Sequence, residues 1–424
     1  MKIAVVGGGS TYTPELIDGF ARLRDALPID EVWLVDPDQH RLELVSAISA
    51  RMFAREGHPG KIVATSDLVA GVTDADVVLI QLRIGGQAAR KGDETWPHDC
   101  GCIGQETTGP GGFAKALRTV PVVLRVAEAV RAHAKPDAWI VDFTNPVGIV
   151  TRALLQAGHR AVGLCNVAIG FQRRFAGILG VDPSAVQLQH VGLNHLTWIR
   201  GVTVSDEALA NENVLPRLLA EHLDDLAEEV RLAPSLLILL QMVPSYYLRY
   251  YYAHDEVLKA QLGAPTRAEA VMEVEKALLE LYADPHINTK PDLLKQRGGA
   301  YYSEAAVDLI TSLRNDSGDI QVVNLRNNGT LPFLPDDHVI EVPARIGADE
   351  LRPLPIAPLP DDLTGLIGRA AAYERLALEA AIEGGRDRVL RAMLAHPLVG
   401  QYDRAEKLTD LLLAENGKHL AWAQ

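Results

Sequence analysis

Cysteine, long apolar runs and excess positive charge are all scarce in this chain, and each shortage narrows what it can be. Three cysteines in 424 residues, Cys100, Cys102 and Cys165, are too few and too odd in number for a disulfide framework. Reduced thiols are expected, each a potential ligand or nucleophile. The longest apolar run, Leu236 to Leu240, is far short of the roughly 20 residues that cross a bilayer, so no membrane partner is expected. The N-terminal MKIAVVGGGST reaches glycine after six residues and lacks the apolar stretch of a secretory signal, which predicts a cytoplasmic location. Forty-one Lys plus Arg stand against 55 Asp plus Glu, a net charge of −14. Such a field repels phosphate backbones and excludes nucleic acid as an expected partner. What is present, 48% hydrophobic and 23% charged residues, is the balance of a globular chain. The length suits two or three units or one large two-lobed enzyme.

Residues 1–165 alternate short β-branched runs with amphipathic stretches, the pattern of βαβ units around a doubly wound parallel sheet of the α/β class. IAVVGG from Ile3, VWLVD from Val32, DVVLIQL from Asp76, WIVDFTNP from Trp139 and AVGLCN from Ala161 are the predicted strands, with helices over 14–26, 38–56 and 113–134. After about residue 185, VQLQHVGLNHLTWIRGVTV alternates with period two and predicts an antiparallel hairpin in a second kind of sheet. Helices are expected at 212–231, 235–256, 266–283, 301–314 and throughout the tail from 362 to 423. No flexible linker is visible, so two closely joined lobes are expected, 1–165 and 166–424.

Ligands of doubly wound sheets collect at the carboxyl ends of the strands. There, Gly7, Gly8 and Gly9, followed by Ser10 and Thr11, permit a tight turn and close approach of a pyrophosphate to the next helix, although Tyr12 stands at the third fingerprint position in place of glycine. Asp36 ends the second strand, where a carboxylate can accept from adenosine ribose hydroxyls, which favours NAD over NADP. A plain strand-to-helix turn is the alternative. Cys165 and His195 each end a predicted strand and could bind one divalent ion, or be a buried thiol and a hydrogen-bonded histidine. His98, Cys100 and Cys102 contain ligand-type residues without the second thiol pair of a structural zinc site. Five tyrosines fall within Tyr246 to Tyr252 on a predicted helix, either as a packing surface or with one phenol in a cleft as a general base. Arg83, Arg90 and Lys91 follow the third strand in QLRIGGQAARKGDE, where glycines suggest a loop over the crevice and a seat for a substrate anion. GQETTGPGGFAKALRT reads as a second glycine-rich loop, a lid leading into a helix.

Together VGGGSTYTPEL, QLRIGGQAARKGDE, GQETTGPGG, FTNPVG, GLCNVAIGFQRR, VGLNH, PSYYLRYY and LPDDHVIEVP resemble, in order and spacing, the NAD- and metal-dependent glycoside hydrolases of family four, particularly the 6-phospho-β-glucosidases. The match covers residues 1 to about 345. It implies a Rossmann-like lobe joined to an α+β lobe of the lactate/malate dehydrogenase C-terminal type, NAD+ and a divalent metal, foremost Mn2+, as cofactors, and a 6-phosphorylated disaccharide or β-glucoside as substrate. The implied chemistry departs from two-carboxylate glycoside hydrolysis. NAD+ takes hydride from sugar carbon 3, the carbon-2 proton becomes acidic, the aglycone is eliminated, water adds and the hydride returns. Carried onto this sequence, the resemblance makes Cys165 and His195 the metal ligands and Tyr247 the base at carbon 2. It places Asn145, Asn166, Asn194 and Glu106 near sugar hydroxyls, and makes Arg90 and Arg267, beside Arg83, the phosphate-site arginines. Asn166 stands where α-glucosidic members usually carry an aspartate proposed as leaving-group acid, which leans towards β-glycosides. Ala168 replaces a common proline beside the metal cysteine. A homodimer or homotetramer is expected on base rates. The rival readings are an NAD-dependent 2-hydroxyacid dehydrogenase, for which no histidine-glycine active-site loop is found, and a non-catalytic NAD-binding protein.

Overall fold

A computed structural model describes residues 1–205, 212–298 and 301–423. The first part alternates β1 (Lys2–Val6), α1 (Thr13–Arg22), β2 (Glu31–Val35), α2 (Gln39–Arg55), β3 (Lys61–Thr65), α3 (Leu68–Val72), β4 (Val77–Ile80), α4 (Gly86–Thr95), α5 (Gly109–His133), β5 (Trp139–Asp142), α6 (Val147–Gln156), β6 (Ala161–Gly163) and α7 (Val167–Leu179). The hairpin β7 (Val186–Leu193) and β8 (Leu196–Val204) follows, then α8 (Leu215–Glu221), α9 (Leu223–Val230), α10 (Pro234–Leu240) and the short β9 (Val243–Pro244). Next come α11 (Arg249–Tyr252), α12 (His254–Leu262), α13 (Arg267–Ala283), α14 (Leu294–Arg297), α15 (Tyr302–Asn315), β10 (Ile320–Arg326), β11 (Val339–Ile346) and β12 (Leu351–Pro353). The chain ends in α16 (Asp361–Glu383), α17 (Arg386–Ala395) and α18 (Tyr402–Asn416).

Six parallel strands in the order β3-β2-β1-β4-β5-β6 form a Rossmann-like sheet. The expected second sheet is a continuation of the first: β10 pairs antiparallel with β6 through Asn324 and Gly163, and the order runs on through β11, β7, β8 and β9. Both faces of the parallel part are covered, as its unbroken apolar strands require. Ile3 and Val5 pack on one face with Phe20, Tyr282 and Ile310. Ala4 and Val6 pack on the other with Phe113, Val120, Leu154 and the tail residues Ala377, Val389, Leu408 and Leu412. The C-terminal helices thus share a core with the first half of the chain, against α5 and α6.

Three local expectations need correction. Lys61–Thr65 is a strand that the sequence reading passed over, because as the sheet edge it is only half-buried and lacks a full apolar run. The segment after Arg83 is the helix α4 and not a loop: Gly85 and Gly86, at φ +81° and +63°, make the turn that starts it. The tyrosine run does not sit on one long helix, since α10 ends at Gln241 with φ +52°, β9 intervenes, and a 3₁₀ turn over Tyr246–Leu248 leads into α11.

Candidate active site

A cleft of about 1840 Å³ lies across the carboxyl ends of the parallel strands. It is walled by Gly7, Gly9 and Ser10 after β1, Asp36 after β2, Arg83 after β4, Asn145 after β5 and Asn166 after β6. Gly7 adopts φ +89°, and a Cβ there would meet the Gln81 carbonyl oxygen at 2.6 Å. At Gly9 a Cβ would come within 2.8 Å of Asp36 Cγ. The bare backbone lets the Gly9 amide donate to Asp36 Oδ2 at 3.1 Å, while the Asp38 amide donates to Oδ1 at 3.0 Å. Burial raises the Asp36 carboxyl above its ordinary value, against these two donors. Gly8 and Thr11 sit behind the wall: Gly8 lies on Leu34, and the Thr11 carbonyl accepts from the Tyr282 hydroxyl at 2.7 Å. Arg41, absent from the sequence reading, donates from Nε to the Gly9 carbonyl at 3.2 Å and reaches Glu275 at 3.3 Å.

One wall concentrates charge. Glu106 receives Arg83, with Arg90 Nη2 at 3.3 Å and Lys115 Nζ at 2.7 Å. Burial alone would raise its carboxyl, yet Arg83, Lys115 and Arg90 hold it well below the usual carboxylate range. The same burial pushes Lys115 down to about 7 in spite of Glu106. Arg90 is buried and also donates to Glu94 at 2.7 Å, so it is neutralised, whereas Arg267 is exposed at the start of α13 with Nη2 on the Gln296 carbonyl at 2.6 Å. Lys91 points away, to Glu269 at 2.8 Å.

Behind the lining residues Asn166 and Tyr247 the fold brings together residues distant in sequence, and Cys165, Asn194 and His195 are buried there without lining the cleft themselves. Cys165 lies just before α7, and the Asn166 and Val167 amides at the helix start, with the Asn194 side chain, favour the ionised form of its sulfur. Burial still pushes the thiol up to about 12. His195 and Asn194 form the two-residue turn between β7 and β8, a turn made possible by Gly192, where φ is +147° and a Cβ would strike the Leu196 carbonyl oxygen at 2.1 Å. Burial lowers His195 to about 4, leaving a neutral imidazole. Tyr247 lies against it with ring centroids 4.1 Å apart, and Tyr246 stands edge-on to Tyr247 under the Arg249 guanidinium. Tyr302, unremarked in the sequence, faces the same group, and the fields of Cys165 and Tyr247 add to burial in raising its phenol. His98 lines the cleft and bonds Gln261, whereas Cys102 is buried and faces the Leu398 carbonyl.

Among the described residues no group of three or more His, Cys, Asp or Glu is placed to hold a metal. The two-ligand pair still fits a divalent ion that keeps positions open for substrate. Buried His195 Nδ1, Asn194 Oδ1 and Asn145 Oδ1 have no hydrogen-bond partner, and a neutral imidazole beside a thiol at a helix N-terminus is a suitable soft and borderline donor set. The glycine turn, with Asp36 at its side, likewise fits a dinucleotide. Lys115 and Tyr302 escaped sequence reasoning; the signal for Lys115 was a lone cation within the otherwise apolar GFAKAL.

Residues 2–181 match the family 4 glycosyl hydrolase profile and residues 190–399 the family 4 glycosyl hydrolase C-terminal domain. The chain is 41% identical to a probable 6-phospho-β-glucosidase of Bacillus subtilis, over 99% of this chain and 97% of that protein. The 6-phospho-β-glucosidase of Thermotoga maritima, solved with manganese, NAD+ and glucose-6-phosphate, superposes with a TM-score of 0.92 at 35% identity, covering 99% of each chain. Malate dehydrogenase of Salinibacter ruber, at 17% identity and a TM-score of 0.54 over 91% of this chain and 99% of that one, shares the fold alone. With both parts of the family profile matched in order across the Rossmann-like half and the half that carries His195 and Tyr247, the chain belongs to family 4 of the glycosyl hydrolases.

Proposed function

We propose that this chain hydrolyses 6-phospho-β-glucosides with NAD+ and a divalent metal, foremost Mn2+, as cofactors. The observation that carries the reading is the contact of the Tyr247 ring with that of His195, centroids 4.1 Å apart, near Cys165, with Tyr247 lining the same cleft as Gly7, Gly9 and Ser10. Bound there, NAD+ would supply a reversible hydride acceptor and the metal a Lewis acid that makes a neighbouring carbon acid stronger. Backbone amides of the glycine turn and the Asp36 carboxylate hold the dinucleotide, and Cys165 and His195 hold the metal. Tyr247 takes the carbon-2 proton at its phenol oxygen. Its phenol is raised far above its ordinary value by burial and by the charges of Cys165, Tyr250 and Glu106, so it needs a nearby cation to serve as a base.

Asn145, Asn166 and Asn194 orient sugar hydroxyls, and their unfilled oxygens, Asn145 Oδ1 and Asn194 Oδ1, are acceptors waiting for donors. Glu106, kept ionised, accepts from the sugar, while Arg83, Arg90 and the rim arginine Arg267 meet the phosphate. Asn166 is a neutral residue at the leaving-group position and supports a β-linked substrate. A homodimer or homotetramer is part of the same proposal, as is a cytoplasmic setting; no helix among the described residues is long and apolar enough to cross a membrane. A two-by-two assay of p-nitrophenyl 6-phospho-β-glucoside, with and without NAD+ and with and without Mn2+ under reducing conditions, tests the reading. Turnover only with both is expected; turnover in all four conditions overturns it.

A further inference from the structure

Glu341 lies on β11 opposite Gly192 of β7, the strand that delivers the Asn194–His195 turn. It is 2% exposed. Its Oε2 accepts from Asn194 Nδ2 at 2.8 Å. The Asn194 side chain also lies beside the Cys165 sulfur, whose ionised form it favours. Among the described residues no lysine or arginine comes within ion-pair distance of Glu341; its one charged-type neighbour at that range is His190 Nε2, at 3.5 Å. Burial makes such a carboxylate costly, and here His190, His195 and the Asn194 amide offset that cost and hold it below its ordinary value, while among the described residues no fixed cation adds to them at ion-pair range.

We infer that Glu341 is a positioning residue for the divalent ion at Cys165 and His195: it supplies the second buried negative charge and aims the Asn194 amide at the Cys165 sulfur. The inference rests on the proposed metal site and adds to it a residue outside the ligand pair. A thiolate and Glu341 together bring two negative charges, which a divalent ion balances. The Asn194 N–H steadies the sulfur in its ionised form, and Glu341 fixes which way that amide faces. Outer partners of this kind typically alter metal affinity by about 10- to 100-fold.

The test is a Co2+ titration of the full-length reduced protein, read by the thiolate-to-cobalt charge-transfer absorbance, with NAD+ affinity measured in parallel. Glu341→Gln keeps the size and an acceptor for Asn194 but removes the charge. It is expected to weaken Co2+ binding by at least ~10-fold with NAD+ affinity within about twofold of the parent, and Glu341→Asp is expected to lose less. Unchanged Co2+ affinity in a Glu341→Gln protein that binds NAD+ overturns the inference. Should Glu341→Gln fail to fold, Glu341→Asp decides: a shift in Co2+ affinity with NAD+ binding intact supports the role, and none overturns it. Cys165→Ser separates the two readings. If it abolishes the cobalt band while Glu341→Gln leaves the titration unchanged, only the role of Glu341 falls; if the band persists without Cys165, the metal-site reading falls and takes this inference with it.

Discussion

Tyr247 and Tyr246 differ by one position yet have different surroundings, one with its ring against that of His195 and the other capped by Arg249. Tyr247→Phe preserves the ring contact and removes only the proton acceptor. Exchange of the substrate carbon-2 hydrogen with deuterated solvent is expected to slow by roughly 10² to 10⁴, the range for a general base, with NAD+ affinity unchanged. Exchange at the parent rate would shift the role to another phenol, Tyr302 first. A second residue-scale outcome concerns Asp142, at the end of β5 beneath the cleft, which burial pushes up to about 8 against donation from Thr144. An unfolded aspartate titrates near ~4, so between about pH 4 and pH 8 the folded chain retains a proton that the unfolded chain releases. Stability therefore falls with rising pH, by up to about 1.4 kcal/mol per unit from this group, and levels off above its folded value. Asp142→Asn lacks that slope, so its stability relative to the parent should improve from acid towards pH 8 in urea melts; a constant difference would show that Asp142 is not held neutral. At this scale the sequence was partly legible. Spacing alone left Cys165 and His195 ambiguous, because one follows a strand end and the other sits in a hairpin turn from a different part of the chain, and only the resemblance linked them. Lys115 shows in the sequence only as a lone cation in an apolar stretch, because a buried cation declares its role only through its partner, Glu106.

Elements were legible where one face is buried and obscured where glycine or partial exposure breaks the pattern. The five inner parallel strands read as continuous apolar runs, while β3 at the edge did not. The Gly85-Gly86 pair looked like a loop, although its left-handed backbone only turns the chain into α4, the helix that presents Arg90. The glycine turn after β1 shows the opposite case, in which the sequence motif and the steric requirement coincide. Gly9→Ala places a methyl group 2.8 Å from Asp36 Cγ, inside any normal contact, so the carboxylate must leave the Gly9 amide. NAD+ affinity is expected to drop at least ~10-fold, equivalent to about 1.4 kcal/mol, with Co2+ affinity retained because the metal pair sits after β6 and in the β7–β8 turn. Parent-like NAD+ binding in calorimetry would mean that Asp36 can move freely and does not shape the pocket.

The whole molecule was the hardest to read, since its unity depends on contacts between residues that no local pattern relates. Asn324 meets Gly163 and Glu341 meets Gly192 in isolated pairings that turn two expected sheets into one. The tail reads as helical throughout, and it is helical with breaks at Gly384–Gly385 and over 396–401, yet nothing in its periodicity said which lobe it would cover. It covers the dinucleotide side: Leu408 and Leu412 are fully buried in the cluster that contains Val120 and Ile149. The tail also completes a buried polar tie, because Arg118 Nη1 donates at 2.9 Å to Asp93 on α4 and at 2.9 Å to Asn416 on α18. Removing residues 402–424 would delete the buried Leu408, Leu412 and Leu420, whose burial is worth about 2 kcal/mol each, uncover the face of α5 on which α18 packs, and leave a guanidinium hydrogen unpaired beside the helix that holds Arg90. That sum is a large share of the ~5–15 kcal/mol that keeps a domain folded. The truncated chain is therefore expected to lose NAD+ binding and cooperative melting together, although every glycine-turn residue is still present. If instead it melts sharply and binds NAD+ as the full chain does, the first half is an independent unit and the shared core contributes little to holding the cleft open.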